Sequence, residues 1–90
     1  YVANLRDGSN AGYRSFLLHS GTNLTVTYRC TGDGTLEIAA KESGASALVF
    51  PVTASNTWQT AMGTLQLDGE QELWFTYRGT GALDLRGFKL

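Results

Sequence analysis

The segment Asn23-Leu24-Thr25-Val26-Thr27-Tyr28-Arg29-Cys30 sets Leu24, Val26, Tyr28 and Cys30 against the intervening polar residues Thr25, Thr27 and Arg29. Side chains on a strand point to opposite faces in turn. A period of two therefore predicts a strand with one face in a core and one in water. Glu72 to Arg78 repeats the pattern, with Leu73, Phe75 and Tyr77 opposed to Trp74, Thr76 and Arg78. No 3.6-residue period persists for three turns anywhere in the chain, which excludes a helical fold.

Glycine-containing turns punctuate the remaining strands. Thr31-Gly32-Asp33-Gly34 separates the first segment from Thr35 to Ala40, where Leu36, Ile38 and Ala40 share a face, and the pair is expected to form a hairpin. Lys41 to Ser46 reads as a polar loop. Ala47 to Val52 reads as a short apolar strand that Pro51 confines to an edge or ends. Ala54-Ser55-Asn56 is expected to turn, Trp58 to Leu67 to be a strand broken near Gly63, and Asp68-Gly69 to turn again. After Gly79-Thr80-Gly81, Leu83 to Leu90 is the last strand. Its apolar parity switches from Leu83 and Leu85 to Phe88 and Leu90, which predicts a bulge at Gly87. Upstream, Val2 to Leu5 and Gly12 to Leu18 read as strands around a loop from Arg6 to Ala11 that contains Asp7-Gly8. Short strands at this spacing define an all-β, antiparallel β-sandwich.

Ninety residues make one domain, spanning 1–90, whose core is small: a chain of this size buries only about 60–65% of its unfolded surface. One cysteine, Cys30, allows no internal disulfide, and with His19 it falls short of a four-ligand zinc site. The seven basic residues are scattered over a chain of net charge −1, so the clustered cations that nucleic-acid binding needs are missing. The longest apolar run, Ala45 to Val52, is interrupted by Ser46 and Pro51 and is too short to span a membrane. No signal peptide opens the chain, which starts at Tyr1 without a Met and reads as a fragment boundary or a processed end.

Catalysis finds little support among these residues. Glycoside hydrolysis requires two facing carboxylates, whereas the eight acids fall mostly in turns or at outward positions on strands. His19 follows Leu17-Leu18 at a strand end and reads as a surface residue, and Cys30 has core parity. The glycines lack the strand-loop-helix setting of a phosphate loop. The Asn23-Leu24-Thr25 sequon is short enough to arise by chance. Aromatic residues are the better lead, because sugar rings stack their C–H faces on exposed rings. Trp58, between Asn56 and Gln59, and Trp74, at an outward position, are candidate platforms, as is Tyr13; each is equally open to a packing role.

The turn Asp7-Gly8-Ser9, the segment Ala11-Gly12-Tyr13-Arg14-Ser15-Phe16, the alternating stretch from Leu24 to Ile38, the triplet Trp58-Gln59-Thr60 and the closing Gly81-Ala82-Leu83-Asp84-Leu85-Arg86-Gly87-Phe88 together resemble a family 6 carbohydrate-binding module. The opening Tyr1-Val2-Ala3-Asn4-Leu5-Arg6-Asp7-Gly8 and the Gly12-Tyr13 pair are similar to such modules at the C-terminus of family 43 glycoside hydrolases, enzymes that cut xylose and arabinose linkages in hemicellulose. The resemblance implies a galactose-binding-like jelly roll that lacks the family's first one or two strands, a fragment of a larger glycosidase. It also implies a cleft in which two aromatic rings sandwich a sugar that a C-terminal Asn anchors. Trp58 matches one ring, Asp84 falls at the Asn position, the second ring position falls on Asn10, and Tyr13 is the nearest substitute for that ring. The aromatic expected near the final strand is replaced by Gly87. No cofactor is expected. The structural calcium found in the family depends on acidic residues upstream of the matching region. A secreted or periplasmic location is implied for the parent, with the bacterial cytoplasm left open.

Two functions follow. As a binding module, the domain would hold a polysaccharide or oligosaccharide of the xylan or arabinoxylan type with Trp58, Asp84, Tyr13 and Asn10, for an attached catalytic domain. As a structural accessory, it would pack on that catalytic domain without binding sugar. Neither reading involves nucleic acid or a membrane, and neither gives the chain an active site of its own.

Overall fold

The computed structural model describes residues 3–40 and 46–90. They form eight strands: β1 (Ala3–Arg6), β2 (Asn10–Leu18), β3 (Thr22–Cys30), β4 (Gly34–Ala39), β5 (Ser46–Val52), β6 (Ser55–Leu65), β7 (Gly69–Gly79) and β8 (Ala82–Lys89). Two four-stranded antiparallel sheets result, ordered β1-β8-β3-β6 and β2-β7-β4-β5. The expected antiparallel sandwich is thus observed. The polar loop predicted over Lys41 to Ser46 lies, apart from Ser46, outside the described residues.

The alternating residues divide as their parity requires. Leu24, Val26, Tyr28 and Cys30 on β3 and Leu83 and Leu85 on β8 face Leu36 and Ile38 on β4 and Leu73, Phe75 and Tyr77 on β7, and all are buried. Each fully buried aliphatic or aromatic side chain stabilises the fold by about 1.5–3 kcal/mol relative to its exposure. Cys30 is a free, buried cysteine, as its parity implied, and His19 is exposed at the end of β2.

One expected pairing is corrected. β3 and β4 do not form a hairpin; they belong to different sheets, and residues 31–33 carry the chain from one to the other. The crossing is tied to the neighbouring β7–β8 connection: Thr31 N–H donates to Ala82 O at 2.9 Å, Ala82 N–H donates to Thr31 Oγ1 at 2.9 Å, and Thr80 N–H donates to Asp33 O at 3.2 Å. Gly34 lies so close to β7 that a Cβ there would stand 2.1 Å from the Arg78 carbonyl oxygen. The sequential hairpin is instead β4–β5, with Leu36 opposite Phe50 and Pro51 on an edge strand as expected.

Two smaller expectations near β6 also change. Ser55 and Asn56 are already in the strand, and no break occurs at Gly63, which pairs in continuous register with Leu24. Gly63 is there for space: a Cβ would sit 2.9 Å from the Leu48 methyls of the opposite sheet. The bulge near Gly87 is present. Thr27 pairs with Gly87 but Tyr28 pairs with Leu85, so Arg86 is the extra residue. That insertion turns Phe88 inward, where its ring meets Tyr13 (5.1 Å), Phe16 (5.5 Å) and Phe75 (4.9 Å).

Candidate functional site

The outer face of the β1-β8-β3-β6 sheet carries a chain of contacts that crosses all four strands. Register places Asp84 on β8 between Asn4 on β1 and Arg29 on β3. Asn4 Nδ2 donates to one carboxylate oxygen of Asp84 at 2.7 Å, and an Arg29 guanidinium nitrogen donates to the other at 3.1 Å. The Asn4 hydrogen bond, and then the Arg29 hydrogen bond and charge, hold the Asp84 carboxyl below the ordinary aspartate value against the opposing effect of burial. The Arg29 guanidinium in turn lies 4.6 Å from the centroid of the Trp58 ring on β6, and Arg86 lies 5.4 Å from it. Such cation–π contacts are worth about 0.5–1 kcal/mol each at exposed sites.

Beside Arg29 and Asp84, at the end of the sandwich where the chain passes between sheets, lies an open depression of about 610 Å3. Thr31, Ala54, Ser55 and Asn56 complete its wall. Asp84 is the one carboxylate among the described lining residues. The set combines a guanidinium, a carboxylate, an amide and two hydroxyls with an indole nearby. These are groups that hydrogen-bond hydroxyls and stack on C–H faces. Hydrolysis would need a second carboxylate facing Asp84.

Trp58 and Asp84, predicted together, are therefore joined through Arg29. Asn10 and Tyr13 are placed apart from them, on β2 of the opposite sheet, opposite Thr76 and Leu73. The Tyr13 ring makes edge contacts with Phe75 (5.7 Å) and Phe88 (5.1 Å) between the sheets, so interior packing occupies the ring expected to substitute for the second aromatic. Asn10 is exposed at the start of β2. Trp74 lies on the outer face of the second sheet over Gly12, where a Cβ would come within 2.7 Å of the indole. Its Nε1 donates to a Glu72 carboxylate oxygen at 2.9 Å. Arg29, Arg86, Asn4 and Asn56 were not singled out from the sequence. Outward parity was the available signal for Arg29, but strand order, which brings Asn4 to Asp84 and Arg86 to Trp58, leaves no local trace.

Among the described residues no group of three or more His, Cys, Asp or Glu is placed to hold a metal ion. Calcium takes six to eight oxygen ligands, largely carboxylates, and the residues described do not fit such a site.

No family profile matches the chain. It is 31% identical over 91 residues to a xylosidase/arabinosidase of Thermoclostridium stercorarium; the match takes in all of this chain and 19% of that protein, so the chain spans about one fifth of its relative. Among the solved structures that share the fold are these three. One is a family 6 carbohydrate-binding module whose binding sub-sites were dissected by crystallography and calorimetry (TM-score 0.78, 12% identity, 93% of this chain and 67% of that one). Another is a module of the same family from Clostridium stercorarium in complex with cellobiose (TM-score 0.79, 13% identity, 93% and 67%). The third is a family 43 arabinoxylan arabinofuranohydrolase from Bacillus subtilis in complex with cellotetraose (TM-score 0.80, 14% identity, 96% of this chain and 20% of that one). The resemblance read in the sequence is borne out: the chain has the fold of the family 6 carbohydrate-binding modules.

Proposed function

We propose that residues 1–90 are a non-catalytic carbohydrate-binding module attached to a larger glycoside hydrolase, and that the module holds a chain of the xylan or arabinoxylan type against Trp58, Asp84 and the adjoining depression. The observation that carries this reading is the Asn4–Asp84–Arg29–Trp58 succession. It orients a partly exposed indole and a charged, planar hydrogen-bonding pair on one surface, next to a polar recess. Supporting it are the sugar-bound structures that share the fold and the glycosidase relative that contains a matching segment. Asp84, the one carboxylate among the described residues of the recess, is engaged by Arg29 and Asn4 and kept ionised, so it accepts hydrogen bonds from sugar hydroxyls and is unsuited to general-acid chemistry.

The test is an NMR titration of the isotope-labelled chain with xylo- and arabinoxylo-oligosaccharides, following the Trp58 indole N–H. Saturable shifts centred on Trp58, Arg29 and Asp84, lost in Trp58→Ala, are expected. An unmoved, well-dispersed spectrum at millimolar sugar would overturn the reading. That result would favour the second reading, a structural accessory that packs on its catalytic domain.

A further inference from the structure

Next to Trp58, further along the same outer face, a second groove runs over β8, β3 and β6. Antiparallel register builds it from two cross-strand rows: Gly87, Thr27 and Thr60 in one, and Lys89 and Thr25 in the other. Arg86 bounds it on the Trp58 side. Gly87 is the residue that opens it. A Cβ there would meet nothing within 4 Å, and its φ lies outside the left-handed region, so neither crowding nor backbone conformation calls for glycine.

Two cations and three threonine hydroxyls thus surround a gap of about 610 Å3, and no carboxylate is among its described lining residues. Among the described residues neither Arg86 nor Lys89 has an ion-pair partner, whereas Arg29 and Arg78 are paired with Asp84 and Glu37. The stack on Trp58 also steadies the Arg86 guanidinium, which lowers the entropy lost when it grips an anion.

Resting on the binding-module reading, we infer that this groove takes a carboxylated sugar, a uronic acid residue on the bound polysaccharide. Its carboxylate would lie between Arg86 and Lys89, and its hydroxyls would meet Thr25, Thr27 and Thr60. A guanidinium fork matches a carboxylate in two parallel hydrogen bonds, and the threonines supply both donors and acceptors for ring hydroxyls. The vacancy beside Gly87 gives the pyranose ring room. The groove adjoins Trp58 through Arg86, so one branched chain reaches both surfaces.

The experiment is a calorimetric titration of the chain with a xylo-oligosaccharide bearing one glucuronic acid branch, and with the same molecule after its carboxyl group is reduced to an alcohol. The acidic form is expected to bind about five- to tenfold more tightly, the worth of one partly screened charge-assisted contact. The preference should shrink as ionic strength rises. Lys89→Gln, which removes a cation, should bring the two affinities together while the reduced sugar still binds, whereas Gly87→Leu, which fills the space for the ring, should weaken both sugars and erase the preference. Equal binding of both sugars by the unaltered chain would overturn the uronate site and leave the binding module standing. A preference that survives both substitutions would place the carboxylate elsewhere and overturn it too. Binding of neither sugar would remove the module reading and this inference with it.

Discussion

Asp84 and Trp58 sit at the two ends of one guanidinium. Arg29 is hydrogen-bonded to the carboxylate and lies over the indole, so each neighbour limits where it can go. The pair with Asp84 is partly exposed, with side-chain accessibilities of 41% and 25%, so its contribution to stability is small, about 0.5–1 kcal/mol. Its pH dependence follows from the depressed carboxyl pKa. A group whose folded pKa lies below its unfolded value contributes stability above the unfolded value, and loses it as pH falls through the folded one. Asp84→Ala is therefore expected to lower stability at pH 7 by about that amount and to match the unaltered chain near pH 2, measured by urea unfolding at the two pH values. Trp58→Ala removes two cation–π contacts and is expected to cost about 1–2 kcal/mol while the fold persists, read from the denaturation midpoint and amide dispersion. A stability loss of 4 kcal/mol or more would instead make Trp58 a core residue and weaken its assignment as a platform. Trp58 and Asp84 were identifiable individually from the sequence, through aromatic character and resemblance. Arg29, which joins them, was legible as an outward residue and as nothing more, because it meets Trp58 29 residues on and Asp84 55 residues on in the chain.

At the level of elements, alternation located the strands well. It has a local cause: a strand shows one face to the core wherever it pairs. Pairing has no such local record. A turn such as Thr31-Gly32-Asp33-Gly34 serves a hairpin and a sheet-to-sheet crossing equally well, and the expected hairpin proved to be a crossing. The deciding interactions come from far along the chain: Asp33 accepts hydrogen bonds from Ala54 N–H at 2.8 Å and Thr80 N–H at 3.2 Å. The parity switch in β8 was legible for the opposite reason, since one inserted residue changes the sequence pattern itself. The two kinds of glycine make a test. Gly34→Ala would press a methyl against the Arg78 carbonyl, a backbone group that cannot swing aside, and is expected to cost more than about 2 kcal/mol. Gly87→Ala meets open space and is expected to change stability by less than about 0.5 kcal/mol. Chemical denaturation of the two variants side by side distinguishes a crowded glycine from one that faces open space. Similar losses in both would refute the claim that Gly87 is dispensable for folding.

Over the whole molecule, the two sheets must hold together across a thin core in a chain with no disulfide among its described residues. Tyr77 is central to how they do so. It is fully buried on β7, and its hydroxyl donates to the Thr80 carbonyl in the connection to β8 and accepts from the Cys30 thiol on β3, the strand that leads into the other crossing. One side chain thereby links both crossings at this end of the sandwich. Burial, and then the hydrogen bond with Cys30, push the Tyr77 phenol above its ordinary value, and burial does the same for Tyr28. A folded pKa raised above the unfolded one means that the stabilisation is fully present below about pH 10 and is lost as pH rises through the folded value. The unaltered chain is therefore expected to weaken steadily above pH 10. Tyr77→Phe keeps the ring in the core but leaves the Thr80 carbonyl without its donor, at a cost of about 1–2 kcal/mol at pH 7. The variant should then lose less stability than the unaltered chain between pH 9 and pH 11, because one of the phenols that folding pushes up, that of Tyr77, is gone. Urea midpoints collected over that interval for both proteins give the comparison. Parallel curves would mean that the Tyr77 phenol does not titrate differently on folding, and that its part in joining the crossings is packing alone.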